Sequence, residues 1–164
     1  VHNIKTVLNY FYCSLTQFSL HSLYSWYYCS QHDIKISNAG GDLQSRGLDS
    51  RYGLQDYVRL SFCSDHPMAY RKYKEGARLV LLKIKIDVAT FKDTLFSDMN
   101  AADSDHTHGG SLSDLQRVNI GATKASYVNS NSPIFHAHQA ECMVKTFIPI
   151  EYIENINNPN RMVF

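Results

Sequence analysis

The stretch Asp56-Tyr57-Val58-Arg59-Leu60-Ser61-Phe62-Cys63 alternates apolar and polar side chains with a period of two. Val58, Leu60 and Phe62 share one face, and Arg59 and Ser61 the other. That is the pattern of a strand packed on one side only. His66-Pro67-Met68 ends it, because proline has no N–H to give a ladder. Met68 to Lys74 then fits a short helix. Leu79-Val80-Leu81-Leu82-Lys83-Ile84-Lys85-Ile86 reads as the strongest strand, apolar on both faces at first and then on one.

Working outward, residues 1–29 mix apolar and polar positions without Gly or Pro. They fit one or two helices that end in the aromatic cluster Leu23-Tyr24-Ser25-Trp26-Tyr27-Tyr28. Residues 37–53 are Gly-rich and polar, and read as a loop holding about one helical turn. Residues 96–110 read as an acidic loop, and Ser113 to Val118 as a short helix. Glu141 to Ile148 forms another strand, and Ile150-Glu151-Tyr152-Ile153 opens a final element. Helices dominate the first half and short strands the second. The expected class is α+β, a small mixed or antiparallel β core with N-terminal helices, rather than alternating βαβ units. With no internal repeat, low-complexity tract or linker, residues 1–164 are expected to form a single domain.

Composition narrows the function. A chain that is 44% hydrophobic and 19% charged matches ordinary globular proteins. A net charge of +1 argues against a protein held on duplex DNA mainly by phosphate contacts, so any nucleic-acid contact must use a local patch. One such patch is present. Arg71, Lys72, Lys74, Arg78, Lys83 and Lys85 surround a single acid, Glu75, with Tyr70 and Tyr73 interleaved. Cations beside stacking aromatics suit a single strand, although charge runs are commonly just solvated faces. The scattered Cys13, Cys29, Cys63 and Cys142 read as reduced thiols, so a cytoplasmic location is expected, with neither membrane span nor secretion signal.

Motif chemistry is sparse. No phosphate-loop, dinucleotide-fingerprint or serine-hydrolase signature occurs. Cys13 or Cys63 as nucleophile would need a base that the sequence does not identify. His106-x-His108 and His136-x-His138 each offer two imidazoles, but no third ligand is signalled, so no metal is expected. Arg46 and Arg51 lie in the Gly-rich segment, where a guanidinium can clamp a pyrophosphate in bidentate fashion. Glu141 opens an apolar strand behind the small, polar stretch from Gly121 to Asn131. Rigid strands and mobile loops are a common way to present one carboxylate to a substrate.

Taken in order, these pieces resemble a known family. The quoted blocks are Asp56-Tyr57-Val58 through Phe62, Pro67-Met68-Ala69-Tyr70, the Leu79–Ile84 strand, Gln139-Ala140-Glu141, and Ile148-Pro149 leading to Tyr152-Ile153. Together they look like the DarT-type ADP-ribosyltransferases, toxins that modify nucleic-acid bases using NAD. The likeness covers roughly residues 20–156. It implies an ADP-ribosyltransferase-like fold with NAD as substrate and no metal. It implies Glu141 as catalytic carboxylate and Arg46 as the arginine serving both catalysis and NAD, with Arg51 as runner-up. Tyr12, Tyr57 and Met68 would line the NAD site. The loop 121–139 would contact the target base, with Ser126 and Tyr127 as readers and Lys72 and Lys74 holding the strand. A role in phage defence and a cognate antitoxin partner are further implications. Relatives usually show a Tyr-His pair whose His binds NAD, where this chain reads Tyr12-Cys13. The target expected is single-stranded DNA. The alternatives are the same transfer to RNA, or a catalytically impaired nucleic-acid-binding relative.

Overall fold

The computed structural model describes residues 10–16, 27–29, 43–126, 128–158 and 160–164; the side chains of residues 13–16, 27–29 and 43–46 lie outside that description. Nine strands are described: β1 (Tyr10–Thr16), β2 (Tyr27–Cys29), β3 (Tyr57–Ser61), β4 (Leu79–Lys85), β5 (Leu95–Ser97), β6 (His108–Gly109), β7 (Glu141–Lys145), β8 (Phe147–Pro149) and β9 (Asn160–Arg161). Five α-helices accompany them: α1 (Leu43–Tyr52), α2 (Pro67–Lys74), α3 (Leu112–Arg117), α4 (Ile120–Thr123) and α5 (Phe135–His138). A seven-stranded sheet runs in the order β6-β5-β7-β3-β1-β4-β9, and β2 pairs with β8 in a second, two-stranded sheet. The pairings between these strands are antiparallel.

The alternation in β3 does what its pattern dictates. Val58, Leu60 and Phe62 are buried and join Phe11, Leu82, Ile84, Phe96, Cys142 and Val144 in the main core. Phe11 and Phe62 meet edge to face at 5.0 Å between centroids, the geometry that the ring quadrupoles favour. On the opposite face Leu54, Ala101 and Met143 form a second, smaller cluster, with Tyr52, Tyr57 and Leu95 packed against it.

Four expectations are corrected. Residues 10–16 and 27–29 are strands, not parts of N-terminal helices. Tyr10 to Thr16 pairs with Lys85 to Leu79 over seven positions, and that non-local ladder overrides an ambiguous local pattern. The rest of 1–29 lies outside the described residues. Residues 43–52 form ten helical residues where about one turn was expected. That helix ends in a Schellman motif: the Leu54 N–H reaches the Asp49 carbonyl at 2.8 Å and the Gly53 N–H the Ser50 carbonyl at 3.4 Å. Gly53 takes φ +68°, which glycine adopts without steric cost. The strand expected over 141–148 breaks at Thr146, whose φ is +69°. The Thr146 N–H turns to the Asp56 carbonyl at 2.6 Å, and Phe147–Pro149 passes to the other sheet. The acidic loop 96–110 also contributes two short strands, β5 and β6, which extend the sheet beyond β7.

Candidate active site

Strand register builds the site. Ser61 lies opposite Glu141, and Ser97 lies opposite Glu141 on its other side. His108 pairs with Ser97, Tyr12 with Ser61, and Lys83 with Tyr12. Directly opposed residues in an antiparallel sheet point to one face. His108, Ser97, Glu141, Ser61, Tyr12 and Lys83 therefore form one polar row across six strands. With strands about 4.8 Å apart, Tyr12 stands two strands, or about 10 Å, from Glu141. The neighbouring row on the other face, Phe96, Cys142 and Leu60, is core.

Glu141 is only 6% exposed. Its Oε2 accepts from Arg59 Nη1 at 2.7 Å and from the Ala101 N–H at 3.0 Å. Arg59 Nη2 donates to Asp49 Oδ1, and Asp49 is itself buried. Asp49 sits in the last turn of α1, where the Schellman motif fixes the backbone. The trio of Asp49, Arg59 and Glu141 carries two carboxylates and one guanidinium, a net charge of −1 held largely away from water. Both described hydrogen bonds of Glu141 fall on Oε2.

Histidines edge the row. His106 Nδ1 meets the Asp103 carbonyl at 2.6 Å, and His106 Nε2 meets His108 Nδ1 at 2.9 Å. A carbonyl only accepts, so in the neutral rings His106 carries its proton on Nδ1 and His108 donates to it. That chain leaves His108 Nε2 with a lone pair. Burial, the neighbouring His106 and the Arg59 charge hold the His108 imidazole below its usual value. His66 caps α2 by accepting the Met68 N–H on Nδ1 at 3.2 Å, and Pro67 fills the first helical position. Burial pushes the His66 imidazole down, although Glu141 opposes the shift. Burial, then Tyr10 and Cys63, pushes the Tyr12 phenol up, so it stays protonated.

The predicted residues fall as follows. Glu141, Tyr12 and Tyr57 lie on one face of the sheet, Tyr57 packed into the smaller cluster. Met68 is 40% exposed at the start of α2. Arg46 lies in α1, but its side chain is outside the described residues, as is Tyr127. Arg51 is exposed, 5.9 Å over the Tyr52 ring, and meets neither Glu141 nor Arg59 in any described contact. Lys72 is exposed and bonded to Glu75 Oε2 at 2.9 Å, Lys74 lies 5.5 Å over the Tyr70 ring, and Ser126 is exposed. Cys63 is no neutral-pH nucleophile, since burial lifts its thiol to about 12. His106 and His108 stack on each other, and His136 binds Asp103 Oδ2 at 2.6 Å. Sequence reasoning missed Arg59 and Asp49, and weighed His108 only as half of a His-x-His pair. The available signal was Arg59 itself, a charge on the polar face of the clearest strand.

No helix among the described residues is long and apolar enough to cross a membrane. No curated protein matches the chain. Among solved structures, DarT of Thermus sp. 2.9 in complex with ADP-ribosylated ssDNA superposes with a TM-score of 0.73 at 18% identity, over 88% of this chain and 78% of that one. The same protein in complex with NAD+ gives 0.66 at 16% identity, over 88% and 78%. Thermosipho africanus DarTG in complex with ADP-ribose gives 0.72 at 19% identity, over 89% of this chain and 43% of that one. At these identities the structural likeness fixes the fold, which is the expected ADP-ribosyltransferase-like one. The model of the family described as "ssDNA thymidine ADP-ribosyltransferase, DarT" matches residues 23–163, and the chain therefore belongs to the DarT family.

Proposed function

We propose that this chain transfers ADP-ribose from NAD to a thymine base of single-stranded DNA, with Glu141 as the catalytic carboxylate. The observation that carries the reading is the placement of Glu141. It is buried at the mouth of a strand, and Oε2 is fixed by Arg59 and the Ala101 N–H. Carboxylate geometry set by two donors does not need to reorganise during the reaction. The bond between nicotinamide and ribose breaks, and its electron pair leaves with nicotinamide. Positive charge then develops on the ribose, as in glycoside cleavage. The net −1 of Asp49, Arg59 and Glu141 favours that charge. Oε1 holds a ribose hydroxyl, or takes the proton that the thymine ring N–H gives up as its nitrogen bonds to the ribose.

Tyr12, in the same row, supplies a protonated phenol to NAD, and Arg46, Tyr57 and Met68 take the further NAD contacts that the family resemblance implies. The residues 121–139, with Ser126 and Tyr127, lie just ahead of Glu141 in sequence and meet the base, while Lys72 and Lys74 hold the strand. Splaying a base into the site costs less from a single strand than from a duplex. The reading takes residues 1–164 as one transferase domain, a cytoplasmic toxin of phage defence held in check by a cognate antitoxin. Its structural neighbours include DarT in complex with ADP-ribosylated ssDNA and with NAD+, which supports the substrates.

The test is mass spectrometry of oligonucleotides after incubation with NAD. The expected product is a thymidine-containing DNA single strand heavier by one ADP-ribose. Modification of a matched RNA, or of a strand lacking thymidine, with none on this substrate contradicts the assignment.

A further inference from the structure

A second cluster of ligating atoms lies beyond the end of β3. Cys63 Sγ, an Asp65 carboxylate oxygen and a His138 ring nitrogen all lie within 4.8 Å of one another. His138 is 1% exposed and closes α5, three residues before Glu141. Its Nδ1 bonds the Ala122 carbonyl in α4 at 2.9 Å. Because the carbonyl only accepts, Nδ1 bears a hydrogen, which leaves Nε2 as the ring atom able to ligate. That nitrogen faces Asp65 Oδ1 at 3.4 Å.

The geometry suits an ion. A tetrahedral centre with nitrogen and oxygen at about 2.0–2.1 Å spaces those two atoms by about 3.3 Å. An imidazole whose other N–H is spent on a backbone carbonyl is the usual outer-shell arrangement of a metal-ligating histidine. Nitrogen, sulfur and oxygen donors favour zinc over the hard cations calcium and magnesium. A thiolate and a carboxylate balance a divalent charge. His66 adds an independent sign. Among the described residues its Nε2 is buried without a hydrogen-bond partner. With Nδ1 already accepting from Met68, this Nε2–H is a donor.

We propose that Cys63, Asp65 and His138 bind one zinc-class divalent ion, which ties the end of β3 to α5 and the segment leading into Glu141. Binding displaces the thiol proton to solvent. The site requires neither NAD nor DNA, so its test stands apart from that of the transferase reading. The probes are zinc alone and cobalt(II) alone, added to the full chain after chelator stripping. One ion per chain, a melting temperature that rises with zinc concentration, and a thiolate-to-cobalt charge-transfer band are expected. Cys63→Ser should abolish the band. Asp65→Asn, at a half-exposed position, should weaken zinc binding at least about tenfold without disturbing the core. His136→Ala, which removes an exposed imidazole beside Asp103, should leave affinity unchanged. No stoichiometric uptake, a cobalt spectrum without the thiolate band, or wild-type affinity in Asp65→Asn overturns the proposal.

Discussion

Arg59 and Glu141 are diagonal neighbours on adjacent antiparallel strands, and the guanidinium closes that diagonal at 2.7 Å. Arg59 lies opposite Met143, two positions along β7 from Glu141, so both side chains rise from the same face. The second arm of the guanidinium reaches Asp49 on α1. One arginine thus ties helix, strand and carboxylate into a single unit.

Removing Arg59 leaves two carboxylates facing each other with little water. Arg59→Ala should therefore cost about 3 kcal/mol of stability, read by chemical denaturation, and should abolish transfer at temperatures where the fold survives. Arg59→Lys keeps the charge but loses the fork that spans two partners, and should restore stability more than activity. An alanine variant as stable and active as the parent would show that the pair positions nothing.

Gly53 predicts a purely conformational effect. A Cβ there meets nothing within 4 Å, but the residue sits at φ +68°. Gly53→Ala should lower stability by about 1–2 kcal/mol and loosen Asp49, whose carbonyl anchors the motif. Gly53→Asn, which tolerates the left-handed region, should cost less. Equal losses for the two variants would contradict this account of the cap.

Buried His66 and half-buried His108 set an acid limit. The folded His66 imidazole is held below its ordinary 6.5, chiefly by burial, and His108 is lowered in the same sense. Below about pH 6.5 the unfolded chain binds protons that the folded chain refuses, so stability falls as pH drops through that window. Above it, this contribution is fully present. His66→Asn keeps a side chain able to cap α2, and should flatten part of the slope in melting temperature between pH 7 and pH 5. An unchanged slope would remove His66 from the explanation.

Much of this was legible before any coordinates. The alternation of Val58, Leu60 and Phe62, the strand from Leu79, the helix after His66-Pro67 and the place of Glu141 at the start of a strand follow from local pattern, whereas its burial does not, since a lone Glu at a strand end is commonly solvated. Tyr10 to Thr16 did not, because that segment has no clean period and becomes a strand only by pairing with β4. Arg59 was visible as a charge on a polar face. Its partner lies 82 residues away, and only the register of β3 against β7 brings the two together. Asp49 was hidden in a stretch whose glycine and polar residues mask a helix. His108 needed β6, a two-residue strand too short to announce itself.

The central claim is that the Glu141 carboxylate performs the transfer, and its most direct test is a single-turnover measurement on Glu141→Gln. The glutamine keeps size and one oxygen but loses the charge. The account predicts a rate of ADP-ribose transfer to a thymidine-containing DNA single strand reduced at least about a hundredfold, with the stabilisation by NAD in thermal melts retained. A rate within a few-fold of the parent enzyme would contradict it.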